Sequence, residues 1–280
     1  MTIKSQINKI SFYYRSDNTP AEYWVEKLRK WIASHHKNIV FDDKKPDLLV
    51  TLGGDGTVLE AAKKFHHSGN PLILGLNLGH VGFLTSVREP RNFQSSLDRF
   101  FKSKYTIVER MMLSTSVFRG GKNIFNSEAL NEVVIENPVG MVDMEVGVDG
   151  TTIKKIRGTG VMVSTATGST AYNLSAHGPI VMPDIRCLIF TELMTHDVPS
   201  PSIVFKHNQE IKFKITSFRK RGLITLNKSR ADVILITDGG QPLALKENDV
   251  IIVKSSAHLV RFVEFEKNYF FKSLKEQFIK

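Results

Sequence analysis

Three glycines and one carboxylate, Gly53-Gly54-Asp55-Gly56-Thr57, are the residues of this chain whose types and spacing point most directly to chemistry. Glycine has no Cβ, so the backbone N–H groups of such a segment can come close to a ligand, and they suit phosphate oxygens. An aspartate repels the anion that these amides attract. It makes sense here if Asp55 accepts a proton or holds a metal ion; the plain alternative is a tight strand-to-helix turn with Asp55 as a cap. The flanks say what positions the segment. Asp47 to Leu52 is an aliphatic and β-branched run without polar alternation, the pattern of a buried strand. Val58 to Phe65 reads as a helix, with Val58, Leu59, Ala62 and Phe65 on one stripe and its positive dipole end turned toward the glycines.

Two further stretches carry unusual composition. Asn77-Leu78-Gly79-His80-Val81-Gly82-Phe83 is a second glycine-spaced loop, and it follows the buried strand Leu72 to Leu76. Two such loops on one sheet edge suggest a cleft, although a connecting loop would look the same. The run Ser164-Thr165-Ala166-Thr167-Gly168-Ser169-Thr170-Ala171-Tyr172-Asn173-Leu174-Ser175 holds seven hydroxyl residues. These cannot all face an apolar core without partners. They suit ribose hydroxyls, phosphates and base edges, and a helix N-terminus capped by Ser169 or Thr170 would also account for some of them.

The elements that must position these residues alternate at first. Ile10 to Tyr14 reads as a strand, and Thr19-Pro20 opens a helix with Thr19 as N-cap and Trp24, Leu28, Trp31 and Ile32 as its buried face. A short strand at Ile39-Val40-Phe41, the central strand and helix, the strand Leu72 to Leu76 and a helix from Phe93 to Phe101 follow. Such alternation predicts an α/β domain with a parallel sheet and ligands at the strand carboxyl ends. From Tyr105 strands dominate: Thr106 to Phe118, Leu130 to Ile135, Met144 to Val148, an Asp149-Gly150 hairpin turn, Thr151 to Ile156, Val161 to Val163, Ile211 to Ile215, Val233 to Thr237 and Val250 to Val253. Asn268 to Phe278 reads as a helix that docks through Phe270, Phe271, Leu274 and Phe278. The expected organisation is an α/β domain over 1–108, a β-rich domain over 109–258, and a C-terminal segment, 259–280, returning to the first domain.

Composition sets the outer limits. The apolar fraction of 41% and charged fraction of 24% are those of a globular protein. No apolar run approaches the ~18 residues of a membrane span, and Met1 to Gln6 lacks the apolar core of a signal peptide. One cysteine, Cys187, gives neither an internal disulfide nor a Cys-based metal cluster. A cytoplasmic protein is expected. A net charge of +10 favours anionic partners. Its densest cluster, Arg219-Lys220-Arg221 with Lys228 and Arg230, lies between strand-like stretches and lacks the interleaved aromatics of a nucleic-acid platform. It reads as a solvated hairpin, so neither nucleic acid nor membrane is expected as a partner.

Taken together, the motifs resemble those of NAD kinases. Gly53-Gly54-Asp55-Gly56-Thr57, the loop Asn77 to Leu84, the pair Asn131-Glu132, Thr167-Gly168-Ser169-Thr170-Ala171-Tyr172 and Ser175-Ala176-His177-Gly178-Pro179-Ile180 occur in that family's order over roughly residues 47 to 255. Gly-Gly-Asp-Gly alone is shared with diacylglycerol and sphingosine kinases and phosphofructokinases; the Thr-Gly-Ser-Thr-Ala-Tyr segment with Asn-Glu is more specific. The resemblance implies a two-domain fold, α/β then β-rich. It implies transfer of the γ-phosphoryl of ATP, or of a polyphosphate phosphoryl, to the adenosine-ribose 2′-hydroxyl of NAD, with Mg²⁺ expected. Asp55 would be the catalytic carboxylate, and Gly53, Gly54, Gly56 and Thr57 would cradle the donor phosphates. NAD would meet Asp55, Gly56, Phe83, Asn131, Glu132, Arg157, Thr159, Thr170, Ala171, Tyr172, Ser175 and Gln241. A homodimer or homotetramer is implied as well.

Three departures from the family pattern stand out. Arg157-Gly158-Thr159-Gly160 replaces Arg-Gly-Asp-Gly, Ser164-Thr165-Ala166-Thr167 replaces Ser-Thr-Pro-Thr, and His177-Gly178 replaces two glycines. The first removes a carboxylate and so bears on affinity or on the choice between NAD and NADH. The competing readings are a lipid or sugar kinase of the same superfamily, which leaves Thr167 to Tyr172 unexplained, and a non-catalytic NAD(P)-binding regulator, against which the intact Asp55 weighs.

Overall fold

The structure, a computed structural model, describes residues 7–79, 82–196, 200–226 and 229–278. The chain divides into two compact units, residues 1–110 with 259–280, and residues 111–258. Positions His80, Val81 and Lys228, which figure in the motifs above, lie outside the described residues.

The first unit opens with β1 (Lys9–Tyr13), α1 (Thr19–His35) and β2 (Val40–Phe41), then β3 (Leu48–Leu52), α2 (Asp55–Phe65), β4 (Leu72–Leu76) and α3 (Phe93–Phe101). Its strands run parallel in the order β4-β3-β1-β2. Every residue of β3 and β4 is buried, as expected of parallel strands covered on both faces. Helix α1 buries Ala21, Val25, Leu28 and Ile32, one stripe at helical spacing, while Trp24 and Trp31 only flank the core. Burying a side chain such as Leu28 contributes ~1.5–3 kcal/mol. The N-cap of α1 is Asn18 rather than Thr19: the Asn18 side chain accepts from the Ala21 N–H at 3.2 Å, and Thr19 already lies in the helix. Helix α2 starts three residues earlier than its apolar stripe indicates, at Asp55, so Gly56 and Thr57 belong to its first turn.

The second unit is antiparallel. Its strands are β5 (Thr106–Arg119), β6 (Lys122–Ala129), β7 (Glu132–Glu136), β8 (Val142–Val148) and β9 (Thr151–Ser164); after the short helix α4 (Tyr172–Ser175) come β10 (Cys187–Thr195), β11 (Ile203–Lys206), β12 (Ile211–Phe218), β13 (Ile224–Leu226), β14 (Ser229–Ala231), β15 (Val233–Thr237) and β16 (Leu243–Leu245). The main ladder runs β16-β15-β7-β9-β8-β12, with β10 also paired to β9. Strands β8 and β12 alternate buried with more exposed residues along most of their length. Their buried residues Met144, Val146, Phe213 and Ile215 join Val133, Ile135, Val161 and Val163 in one apolar core.

Several expectations of the sequence are corrected here. Residues 157–160 fall between two expected strands, Thr151 to Ile156 and Val161 to Val163, but β9 runs unbroken through them, because Gly158 and Gly160 let β10 and β7 approach, with a Cβ at Gly160 falling 2.2 Å from the Ile135 carbonyl. The strand expected from Leu130 begins only at Glu132, because the amides of 130–132 turn to the Asp238 carboxylate. Strands β6, β10 and β11 carry no clear periodicity in the sequence. The basic cluster does lie beside a hairpin, β13-β14.

Strand β17 (Val250–Glu264) pairs through its first residues with β12 and through Arg261 and Phe262 with β4, in parallel. Helix α5 (Tyr269–Phe278) then closes the first unit. Its buried residues are Tyr269 and Ser273, whereas Phe271 and Phe278 are 56% and 52% exposed. The expected stripe thus docks only in part, through the half-buried Phe270 and Leu274; the fully buried face carries the two hydroxyls that find backbone carbonyls.

Candidate active site

In the first unit the chemistry-bearing residues gather where β3 hands over to α2. Gly53 has φ +151°, and a Cβ there would lie 2.3 Å from Thr57 Oγ1, so only glycine lets the turn close onto the helix. Gly54 is the N-cap and uses no side chain. The Thr57 N–H bonds to the Gly54 carbonyl at 3.0 Å, while the amides of Asp55 and Gly56 have no intrahelical acceptor. Nothing lies within 4 Å of a Cβ built on Gly54 or Gly56. The result is an open approach to amide donors at a positive helix end, suited to phosphate oxygens.

The Asp55 side chain does not cap its own helix; it turns to the second loop. Asp55 Oδ2 accepts the Phe83 N–H at 2.7 Å and Oδ1 the Leu84 N–H at 3.1 Å. The loop closes so tightly that a Cβ on Gly82 would lie 2.2 Å from Asp55 Oδ1. Burial raises the proton affinity of the carboxyl; the amides of Phe83 and Leu84 and the Arg88 charge pull it back in part. The two loops expected at one sheet edge are thus joined by the carboxylate itself. The cap reading fails, and a carboxylate held at both oxygens with raised basicity is suited to taking a proton.

In the second unit the organising group is Asp238, which the sequence reading missed. Its carboxylate accepts the N–H groups of Leu130 at 2.6 Å, Asn131 at 2.8 Å and Glu132 at 3.1 Å. The only signal was Asp-Gly-Gly after a strand, which reads as an ordinary turn, and Asp238 and Gly239 do have positive φ. The Asn131 carbonyl in turn accepts the Thr165 N–H at 2.8 Å, and a Cβ on Gly168 would lie 2.2 Å from that oxygen. Segment 165–172 is thereby pressed onto Asn131-Glu132. Glu132 is 8% exposed, its Oε2 has no hydrogen-bond partner, and burial with the Asp238 charge beside it pushes its carboxyl up to about 8. The Tyr172 N–H bonds to this carboxylate, and Tyr172 stays 41% exposed. The Asn131 side chain is buried yet makes no hydrogen bond among the described residues. A buried carboxyl oxygen without a protein partner, beside an amide free of protein hydrogen bonds, points to a polar ligand.

The hydroxyl-rich run divides into two groups. Thr165 Oγ1 donates to the Leu130 carbonyl at 2.6 Å, and Ser169 Oγ donates to the Ala166 carbonyl at 2.6 Å while accepting the Val181 N–H at 3.0 Å. These hydroxyls brace the fold. Neither Ser169 nor Thr170 acts as a cap. Thr170, Ala171, Tyr172 and Ser175 remain wholly or partly exposed at the outer end of the segment.

Comparison with known proteins fits this pair of sites. Residues 2–105 match the ATP-NAD kinase N-terminal domain and residues 130–265 the ATP-NAD kinase C-terminal domain. The NAD kinase of Symbiobacterium thermophilum is 36% identical over 233 residues, covering 82% of this chain and 78% of that protein. The NAD kinase of Caldanaerobacter subterraneus is 35% identical over 235 residues, with coverages of 83% and 78%. The chain belongs to the NAD kinase family. Its fold is also that of a yeast NADH kinase solved with NADH, with a TM-score of 0.87 at 20% identity over 98% of this chain and 88% of that one. An NAD kinase from Archaeoglobus fulgidus solved with ATP gives a TM-score of 0.75 at 23% identity, over 96% and 99%. A lipid or sugar kinase is not favoured, since both halves of the chain match NAD kinase models.

Seen against the NAD kinase pattern, the remaining residues separate. Arg157 and Thr159 lie on β9 seven and five residues before Ser164, the partner of Glu132, so roughly 23 and 17 Å away along the strand. Thr159 is half-buried, and its hydroxyl donates to the Leu193 carbonyl at 2.9 Å. Arg157 is exposed and lies 3.6 Å from Asp143. Within this chain neither side chain joins Glu132 and Tyr172. Gln241 is exposed just past the turn that carries Asp238. His177 has φ +59°, the left-handed region, which explains why the family pattern places glycine there.

Proposed function

We propose that Asp55 takes the proton of the acceptor hydroxyl in this chain's reaction. Family membership makes the protein a phosphotransferase acting on NAD. The reading of Asp55 rests on one observation above all: its carboxylate stands at the head of α2, beside open amide donors, clamped by Phe83 and Leu84 and made more basic by burial. An alcohol attacking phosphorus needs a positioned proton acceptor, and the remaining catalysis is placement and charge stabilisation.

In this reading Gly53, Gly54, Gly56 and Thr57 receive the phosphate donor on the amides of the first turn. Asn131, with its uncommitted side-chain amide, and Glu132 take the adenine amino group and ribose hydroxyls of NAD, held in place by Asp238. Thr170, Ala171, Tyr172 and Ser175 line the adenosine, and Phe83 and Gln241 flank the dinucleotide. The 2′-hydroxyl is the nucleophile, its proton passes to Asp55, and the γ-phosphoryl of ATP, or a terminal phosphoryl of polyphosphate, is transferred to give NADP as its bridging P–O bond breaks and ADP, or the shortened polyphosphate, leaves. The donor loop offers N–H groups rather than a cage of oxygens, so Mg²⁺ fits as an ion carried chiefly by the donor phosphates. When bound it would supply charge neutralisation for the phosphoryl transfer. A cytoplasmic homodimer or homotetramer completes the reading.

The test is NAD with ATP and Mg²⁺, product being read by an NADP-specific dehydrogenase, with polyphosphate and NADH in parallel. NADP is expected from the wild-type chain. Asp55→Asn should keep the fold and NAD binding but lower kcat by ~10²-fold or more. Near-normal turnover in that variant would make Asp55 structural.

A further inference from the structure

Phe83 and Leu84, the two residues whose amides hold Asp55, lie in a segment that is itself held from another side. The carbonyls of Gly82 and Thr85, at the two ends of segment 82–85, face helix α5. Tyr269 Oη donates to the Thr85 carbonyl and lies 3.2 Å from the Gly82 carbonyl; Ser273 Oγ lies 3.3 Å from that same Gly82 oxygen. Both side chains are buried, Tyr269 at 7% exposure and Ser273 at 0%. Arg88 locks the pair together. Its guanidinium stacks 4.7 Å over the Tyr269 ring, donates to Ser273 Oγ at 2.5 Å and pairs with Glu276. On the remaining side the segment is pressed against β4, where a Cβ on Gly75 would lie 2.8 Å from Thr85 Cα. The Phe83 ring also meets Phe270, centroids 5.8 Å apart.

We propose that helix α5 is a positioning element of the phosphoryl-transfer site, with Tyr269 and Ser273 fixing the carbonyls of Gly82 and Thr85 so that the amides of Phe83 and Leu84 hold the Asp55 carboxylate in reacting geometry. The inference rests on Asp55 being the proton acceptor. Tyr269 and Ser273 touch no substrate in this reading; of the two carbonyls they meet, that of Gly82 shares its peptide group with the Phe83 N–H that holds Asp55, while that of Thr85 anchors the end of the segment. A peptide unit is planar, so fixing its carbonyl also fixes the N–H that follows it. Releasing the Gly82 carbonyl therefore frees the Phe83 N–H, the shorter of the two bonds to Asp55. Arg88 adds a charge that favours the ionised carboxylate, and α5 holds that charge in place through Ser273 and Glu276. Small displacements of a catalytic group cost rate far more than binding, because the effect falls on the transition state.

Tyr269→Phe keeps the ring under Arg88 and removes only the hydroxyl, and Ser273→Ala is the milder second variant. Each is measured alone and combined with Asp55→Asn, after circular dichroism has confirmed the folded state at the assay temperature. The expected result is a kcat lower by ~10-fold or more for Tyr269→Phe, and by less for Ser273→Ala, with KM for both substrates within about twofold. In the Asp55→Asn background neither substitution should change the residual rate by more than about twofold, since the group being aimed is gone. Equal losses in both backgrounds, an unchanged kcat, or a rise in KM that matches the fall in kcat would overturn the inference. Near-normal turnover of Asp55→Asn alone would overturn the reading of Asp55 itself, independently of Tyr269.

Discussion

Glu132 shows how one side chain carries both a cost and a function. Burial and the neighbouring Asp238 push its carboxyl up to about 8, against ~4.3 for an exposed Glu. The folded chain therefore holds a proton that the unfolded chain has lost, so this group's favourable contribution is complete below about pH 4.3 and is lost as pH rises through 8. Glu132→Gln keeps the neutral shape without that titration. Its melting temperature should match wild type near pH 4 and exceed it at pH 8.5, while the KM for NAD rises. An equal difference at both pH values would mean that Glu132 does not titrate this way. A separate prediction concerns the ligand: Asn131→Ala and Tyr172→Ala should raise KM for NAD ~10-fold, about one lost hydrogen bond or stacking contact each, with far less change for ATP. Equal effects on both substrates would misplace the adenosine pocket.

Among the connecting segments, the glycines fall into two physical kinds, and the space around each tells them apart. Gly168 is a glycine of the fold: its Cβ would meet the Asn131 carbonyl oxygen at 2.2 Å, a backbone atom that cannot swing aside. Gly168→Ala should cost ~1–3 kcal/mol, seen as a lower melting temperature, and should weaken NAD binding by separating segment 165–172 from Asn131. Gly56 is the opposite case, exposed in the first turn of α2 with nothing near its missing Cβ. Gly56→Ala should leave stability equal or raise it by up to about 1 kcal/mol, yet raise KM for the phosphate donor. If Gly56→Ala left donor KM unchanged, the open space above that turn would not be the phosphate site.

For the whole molecule, the net charge of +10 suits a protein whose substrates are anionic dinucleotides and phosphates, since such a charge raises their local concentration. Among the described residues no helix is long and apolar enough to cross a membrane. The assembly proposed above is a homodimer or homotetramer. Sedimentation at micromolar concentration should give one of those masses, and a clean monomer would sink that part of the reading.

The sequence alone determined the strand–glycine–helix unit around Asp55, the change from α/β to β-rich organisation, and the family, because these depend on local periodicity and on short contiguous motifs. Boundaries moved where a distant group intervened. Asp238, more than 100 residues along the chain, takes the amides of 130–132 and delays the start of β7. Gly158 and Gly160 separate two expected strands in the sequence, but in the sheet they are the gaps that let neighbouring strands approach within one continuous strand. Of the expected docking stripe of α5, Phe270 and Leu274 are only half-buried and Phe271 and Phe278 are exposed; Tyr269 and Ser273 took the fully buried face, where their hydroxyls satisfy carbonyls that a phenyl ring would leave unpaired. Only the tertiary structure could decide that the carboxylate of Asp55 turns away from its own helix to hold residues 83 and 84, because that choice depends on which amides the fold brings within reach.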